Sequence, residues 1–143
     1  MQKTVGQLLE AKGAEVWTIG PDATVLEALN LLAEKNVGAV VVVADGKVSG
    51  ILSERDYARK VRLLHRDSGD TAVSEIMTSE VRTITRDKDV VDCMEMMTEF
   101  HIRHLPVVEG DTLVGLISVG DVVKAVIAEQ AFLIDQLHQY ITG

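Results

Sequence analysis

Apolar positions along the chain change period several times, and each change predicts an element. Val25, Leu26, Ala28, Leu29 and Leu32 recur at helical spacing, with Thr24 in front of them and Glu27 three residues on. That is an amphipathic helix opened by a capping box. Val37–Ala44 is instead a nearly unbroken valine-rich run, the pattern of a strand buried on both faces. Asp45-Gly46 is a hairpin turn signal, and Lys47–Leu52 reads as the returning strand. A short strand over Val16–Ile19 leads into the helix through the turn Gly20-Pro21-Asp22. Ser53 opens a second helix, expected to carry Tyr57, Val61 and Leu64 inward before a polar linker at His65–Asp70.

The same order of elements then recurs. Shifted by 65 residues, Thr18–Tyr57 lies over Thr83–Val122 without a gap. Thr18/Thr83, Ile19/Ile84, Asp22/Asp87, Val25/Val90, Glu34/Glu99, Val42/Val107, Val43/Val108, Gly50/Gly115, Ser53/Ser118 and Asp56/Asp121 are identical. Most other pairs keep apolar against apolar. The second copy predicts a strand over Val81–Ile84, a helix over Asp89–His101, a strand over Leu105–Glu109, a turn at Gly110-Asp111, a strand over Thr112–Ile117 and a helix from Ser118. A weaker echo precedes each copy, Val5-Gly6-Gln7-Leu8-Leu9 against Val73-Ser74-Glu75-Ile76-Met77. The expected organisation is two β-α-β-β-α repeats of mixed α/β class, residues 1–68 with an N-terminal helical segment and residues 69–143. Such a doubled unit is expected to pack about a pseudo-twofold axis. The last helix runs well past its counterpart, through Val126, Ile127, Phe132, Leu133, Leu137 and Ile141, with Gly143 suited to end it.

Composition narrows the function classes. A net charge of −8 and 3% aromatic residues argue against nucleic acid and anionic membrane as partners. No stretch approaches the ~18 apolar residues of a transmembrane helix, and the N-terminus lacks the apolar run of a signal peptide. One cysteine, Cys93, permits no internal disulfide and suits a reducing compartment, so a cytoplasmic location is expected. Cys93 falls in the apolar face of a helix, where a buried structural thiol is expected rather than a nucleophile. His101 and His104 have helical spacing, but the second histidine falls at the start of a strand and no further ligands stand near, so no metal is required. No phosphate-loop, dinucleotide, zinc-protease or nucleophile-elbow string occurs, and no enzymatic activity is expected.

The strings Gly50-Ile51-Leu52-Ser53-Glu54-Arg55-Asp56 and Gly115-Leu116-Ile117-Ser118-Val119-Gly120-Asp121 carry a resemblance to the CBS-domain family, named after cystathionine β-synthase. Arg103-His104-Leu105-Pro106-Val107-Val108 and the Thr-Ile that begins each repeat add to it. The resemblance covers nearly the whole chain and implies a regulatory module that binds an adenine nucleotide: AMP, ADP, ATP or NAD(H).

Each Ser-x-x-Asp follows a buried strand and opens a helix. The plain reading is a second capping box, since Thr24/Glu27 and Asp89/Asp92 already form such boxes. The position at the carboxyl end of a strand is also where ligand crevices of α/β folds lie. By resemblance, Asp56 and Asp121 hold ribose hydroxyls, with Ser53 and Ser118 beside them. One cleft is then expected to combine Asp56 and Arg55 with Thr83, Ile84, Ile102, Arg103, His104 and Pro106. The other combines Asp121 with Thr18, Ile19, Val37, Gly38 and Ala39. Gly120 stands where the first repeat has Arg55, and Gly38-Ala39 where the second has Arg103-His104. The Asp121 cleft is therefore expected to carry little charge and the Asp56 cleft to prefer phosphates. The resemblance further implies a homodimer through the helices and a separate regulated protein, since no output domain is present. The alternative is an interaction module that needs no nucleotide. Of the Met94, Met96 and Met97 group, Met94 and Met97 are expected in the core.

Overall fold

Thr24 caps the first helix of the first repeat with its side chain accepting from the Glu27 amide, while Glu27 reaches back to the Thr24 amide. A computed structural model of the chain describes residues 3–142. Its helices are α1 Val5–Lys12, α2 Val25–Lys35, α3 Glu54–Tyr57, α4 Val73–Ile76, α5 Val90–Phe100 and α6 Val119–Thr142. Its strands are β1 Thr18–Ile19, β2 Ala39–Ala44, β3 Lys47–Ser53, β4 His104–Glu109 and β5 Thr112–Ser118.

These elements fall into two compact bodies. One holds Glu15–Arg82 with Gly110–Val114; the other holds the N-terminal segment to Ala14, Thr83–Glu109 and the chain from Gly115 on. Helix α1 thus packs with the second repeat and α4 with the first.

In the first-repeat body the sheet order is β1-β2-β3, parallel between β1 and β2 and antiparallel between β2 and β3. The hairpin turn has Asp45 at φ 53° and Gly46 at φ 78°, the mirror-image turn that matches strand twist. A shift of register after Val42 leaves Ser49 as an extra residue whose hydroxyl donates to the Val42 carbonyl. The core gathers Val25, Ala28 and Leu32 of α2, Val40 and Val42 of β2, Leu52 of β3, and Val61, Val73 and Ile76. Each such aliphatic side chain contributes about 1.5–3 kcal/mol on burial.

The second-repeat body copies this plan. Asp89 and Asp92 form the capping box of α5, and β4 pairs with β5. Ile84 makes only an isolated parallel bridge to Val107, so the strand expected over Val81–Ile84 is reduced to one residue. Its counterpart β1 likewise covers Thr18–Ile19 instead of Val16–Ile19. Cys93 and Met97 are buried, but Met94 is 43% exposed, against the expectation for it.

The helix expected from Ser53 through Leu64 also differs. After α3 it becomes a π-helical turn over Ala58–Arg62, which buries Val61 and leaves Leu64 63% exposed. The wider turn rotates Leu64 off the inward face. In α6 the predicted extension forms, with Phe132, Leu133, Ile134, Leu137, Tyr140 and Ile141 all exposed. The proposed stop at Gly143 lies outside the described residues. No helix among the described residues is long and apolar enough to cross a membrane.

The repeated glycines have one packing role each. A Cβ on Gly115 would stand 2.7 and 2.8 Å from the two δ-methyl groups of Leu9 in α1. A Cβ on Gly50 would collide with the Met77 sulfur and stand 3.0 Å from the Thr78 carbonyl oxygen. Each glycine therefore admits the segment that precedes the other repeat.

Candidate functional site

Ser53 ends β3 with extended backbone (φ −116°, ψ 165°) and caps α3. The Ser53 hydroxyl accepts from the Asp56 amide at 3.2 Å, while Asp56 Oδ2 accepts from the Ser53 amide and hydroxyl, each at 3.0 Å. Ser118 and Asp121 repeat this at the junction of β5 and α6. There the Ser118 hydroxyl accepts from the Asp121 amide at 3.2 Å. Asp121 Oδ2 accepts from the Ser118 amide at 2.8 Å and from its hydroxyl at 3.0 Å.

The plain reading, a capping box, is thus what the molecule forms. It uses only one oxygen of each carboxylate. Asp56 Oδ1 lies 3.4 Å from the Lys60 ammonium, one helical turn on, and Asp121 Oδ1 takes no hydrogen bond among the described residues. The two side chains are 15% and 17% exposed. The box fixes the carboxylate's orientation and leaves its second oxygen outside the cap.

Lys12 corrects the expected charge distribution. Its ammonium donates to Asp121 Oδ2 at 2.7 Å and to the Leu116 carbonyl at 2.8 Å. Burial pushes the Asp121 carboxyl up. The hydrogen bond from Lys12, those from Ser118 and the charge of Lys12 outweigh it, so the group sits below its ordinary value of 3.8. The Asp121 mouth therefore carries a fixed cation, where little charge was expected.

The other sequence-predicted residues divide between the bodies. Thr18 and Ile19 pair with Val41 and Val42, Ala39 pairs with Ser53, and the Gly38 carbonyl accepts from the Glu54 amide at 3.1 Å. Of these, Gly38 and Ala39 lie beside the start of the Asp56 helix, in the same body; Val37 closes α2 by donating to the Leu32 carbonyl. Arg55 is exposed beside Asp56. In the second-repeat body the Arg103 carbonyl accepts from the Val119 amide at 2.9 Å, which sets Arg103 at the first turn of the Asp121 helix. Ile84 donates to the Pro106 carbonyl at 3.0 Å, and both residues are buried, whereas Thr83 is exposed. Ile102 donates to the Met97 carbonyl at 3.1 Å, and His104 begins β4.

Lys12 carried no signal in the sequence, because it lies in α1 and reaches Asp121 only through the fold. Lys60 did carry one, being four residues after Asp56 on a helix. His101 is the left-handed cap of α5 (φ 54°), so it does not share a helix face with His104. No group of His, Cys, Asp and Glu among the described residues is placed to hold a metal ion. Cys93 is fully buried, and its thiol is pushed up to about 11 by desolvation and then by Asp92 and Asp89. An open cavity of about 450 Å³ is lined by Leu26, Tyr57, Arg62, His65 and Arg66 among others, and by neither aspartate.

Comparison with known proteins agrees with this architecture. The CBS domain family matches residues 12–63 and 73–128. The chain is 37% identical over 150 residues to the CBS domain-containing protein CBSX3, mitochondrial, of Arabidopsis thaliana, covering 98% of this chain and 72% of that one. A solved protein with CBS domains from Burkholderia ambifaria shares 48% identity and superposes with a TM-score of 0.85, over 90% of this chain and 96% of that one. The CBS domain pair of protein MJ0100, solved with 5′-methylthioadenosine and S-adenosyl-L-methionine, has the same fold at a TM-score of 0.78 and 24% identity, over 90% and 99%.

Proposed function

Because the chain belongs to the CBS-domain family, we propose that it is a regulatory module that binds an adenine nucleotide and reports its occupancy to a partner protein. The observation that carries this reading is the doubled Ser-x-x-Asp box, which in each repeat presents an oriented carboxylate oxygen beyond the one used in capping. A ribose offers two neighbouring hydroxyl donors to such an acceptor. The ligand complex of MJ0100 supports an adenosine compound, and AMP, ATP and NAD(H) all present that same group. Arg55, Arg103 and His104 are the proposed phosphate partners. Binding requires no metal, and the module turns over no substrate. Signalling requires that the ligand bind two states of the module unequally. Buried, unpaired Cys93 suits the reducing cytoplasm.

Thermal unfolding with each of AMP, ATP and NAD(H) tests the proposal. A ligand at 100 times its dissociation constant adds about 2.7 kcal/mol to stability, a melting shift of several degrees. Asp56→Asn with Asp121→Asn should abolish the shift. Its persistence in the double variant would refute the assignment.

A second reading, an interaction module indifferent to nucleotide, is favoured by α6, whose final turns present Phe132, Leu133, Ile134, Leu137, Tyr140 and Ile141 to solvent. We propose that this face pairs with a second copy in a homodimer. Phe132→Glu with Leu137→Glu should yield monomers by light scattering. An unchanged mass would refute the pairing, and a dimer that no nucleotide stabilises would favour the second reading.

A further inference from the structure

Helix α1 is anchored in the second-repeat body at its start and along its length. At its start, the Val5 amide donates to the Lys88 carbonyl at 2.7 Å and the Gly6 amide to the Arg86 carbonyl at 3.0 Å. Further along, Leu9 is 1% exposed and fills the space above Gly115. At its end, Gly13 closes the last turn by donating to the Leu9 carbonyl at 2.8 Å. The position of Lys12 follows from these contacts. Its ammonium is held by two acceptors, Asp121 Oδ2 and the Leu116 carbonyl. An ammonium has three N–H donors, so one remains, on a side chain that is 33% exposed.

The two aspartates consequently differ as acceptors. Asp121 Oδ2 receives three donors: the Ser118 amide, the Ser118 hydroxyl and Lys12. Only Oδ1 is left for a ligand. Asp56 Oδ2 receives two, and its lysine stands off at 3.4 Å while donating instead to the Ile76 carbonyl. A neutral diol therefore has less to gain at Asp121, where one carboxylate oxygen is already filled by a charged donor. A ligand that brings its own anion meets Lys12's remaining N–H together with a positive charge that geometry, and not chance rotamers, holds in place. Arg103, exposed and without an ion pair among the described residues, has its backbone at the first turn of the same helix. Gly120, next to Asp121, leaves that side of the mouth without a side chain.

We propose that Lys12 is the specificity-determining residue of the Asp121 mouth: it makes that mouth take a nucleoside 5′-phosphate in preference to the nucleoside. The inference rests on the reading that Asp121 holds ribose. In a nucleotide the 5′-phosphate is carried two carbons from the one that bears the 3′-hydroxyl, so a hydroxyl on Oδ1 brings the phosphate within reach of the ammonium beside Oδ2. The separation is shorter than the ~8 Å screening length at physiological salt. One charge-assisted hydrogen bond at a partly exposed ammonium corresponds to about tenfold in affinity.

The test isolates the Asp121 mouth in the full chain by Asp56→Asn and measures adenosine and AMP by calorimetry, with and without Lys12→Met. The expected result is that Lys12→Met lowers the ratio of AMP to adenosine affinity about tenfold, with adenosine unchanged or tighter, and that Lys12→Arg restores the ratio. A structural role alone would move both ligands together. An unchanged ratio, with both ligands still bound and both weakened by Asp121→Asn, overturns the role of Lys12 while the ribose reading stands. If neither ligand binds, or Asp121→Asn affects neither, the ribose reading fails and takes this inference with it.

Discussion

Substituting Gly115 tests the placement of α1 most directly. Gly115 is buried in β5, and its Cβ would lie 2.7 and 2.8 Å from the Leu9 methyl groups and 3.3 Å from Leu9 Cγ. Carbon atoms in contact prefer ~3.5–4.0 Å, so Gly115→Ala forces an overlap of roughly 1 Å on a side chain that is 1% exposed. Such overpacking costs about 1–3 kcal/mol. Alanine also restricts the unfolded chain, which offsets about 0.4–1 kcal/mol. The net expectation is a destabilisation of about 1–2 kcal/mol. Leu9→Ala alone should cost about 2–5 kcal/mol, since it removes a buried side chain and leaves a cavity. Combined, the two should fall short of their sum by about 1–2 kcal/mol, because the methyl group added by Gly115→Ala enters the space that Leu9 vacates. Urea unfolding of the parent, the two single variants and the double variant supplies the cycle, provided that the slope with denaturant stays constant. Additivity within about 0.5 kcal/mol, or a Gly115→Ala protein as stable as the parent, would refute the packing of α1 on β5.

Gly50→Ala should be the more damaging of the two glycine substitutions by urea midpoint, because the Thr78 carbonyl 3.0 Å from the new methyl is backbone and is held by the Ile51 amide at 3.0 Å; equal or smaller damage would contradict this. Cys93 should resist an aromatic disulfide reagent in the native protein and react at once in denaturant. Since its thiol is raised in the fold from 9.0 to about 11, the unfolded chain ionises first, and stability should decline as pH rises over that interval; Cys93→Ala should flatten the decline. Asp121 has the opposite sign: its folded value lies below 3.8, so its contribution is complete above 3.8 and is lost as pH falls through the lowered folded value. A carboxyl titration by NMR should show Asp121 moving toward 3.8 in Lys12→Met, and an unmoved titration would separate Lys12 from that shift.

How far the fold can be read from residues alone depends on the range over which each feature acts. Capping boxes, the Asp45-Gly46 turn and the buried run of β2 are set by neighbours within a few residues; the first two form where the pattern places them, and the run expected over Val37–Ala44 forms as Ala39–Ala44, because Val37 still closes α2. The short strands fared less well. Ile84 has the same Thr-Ile context as Ile19, yet it makes one bridge, because so brief a strand is defined by its partner and not by its own periodicity. Leu64 failed for a different reason: helical spacing assumes 3.6 residues per turn, and the π-turn at Ala58–Arg62 breaks the count just before it.

The site shows the same division more sharply. Ser53, Asp56, Ser118 and Asp121 announce themselves because their partners are three residues away, and the repeat states the message twice. Lys12 lies 109 positions from Asp121, and nothing local distinguishes it from a solvated lysine at the end of an amphipathic helix. A trace existed even so. The echo of Val5–Leu9 in Val73–Met77, together with the identity of Gly50 and Gly115, marks two equivalent segments that each need a residue without a side chain to lie against. What local reasoning could not decide was which segment meets which glycine. Leu9 meets Gly115 and Met77 meets Gly50, so the segment before each repeat packs with the other. That exchange carries Lys12 to Asp121 and leaves Asp56 with Lys60 from its own helix. Two mouths built from the same four-residue box thereby take their lysine from different parts of the chain and hold it differently, at 2.7 Å from Asp121 and 3.4 Å from Asp56, and the asymmetry comes from chain connectivity, not from the box itself.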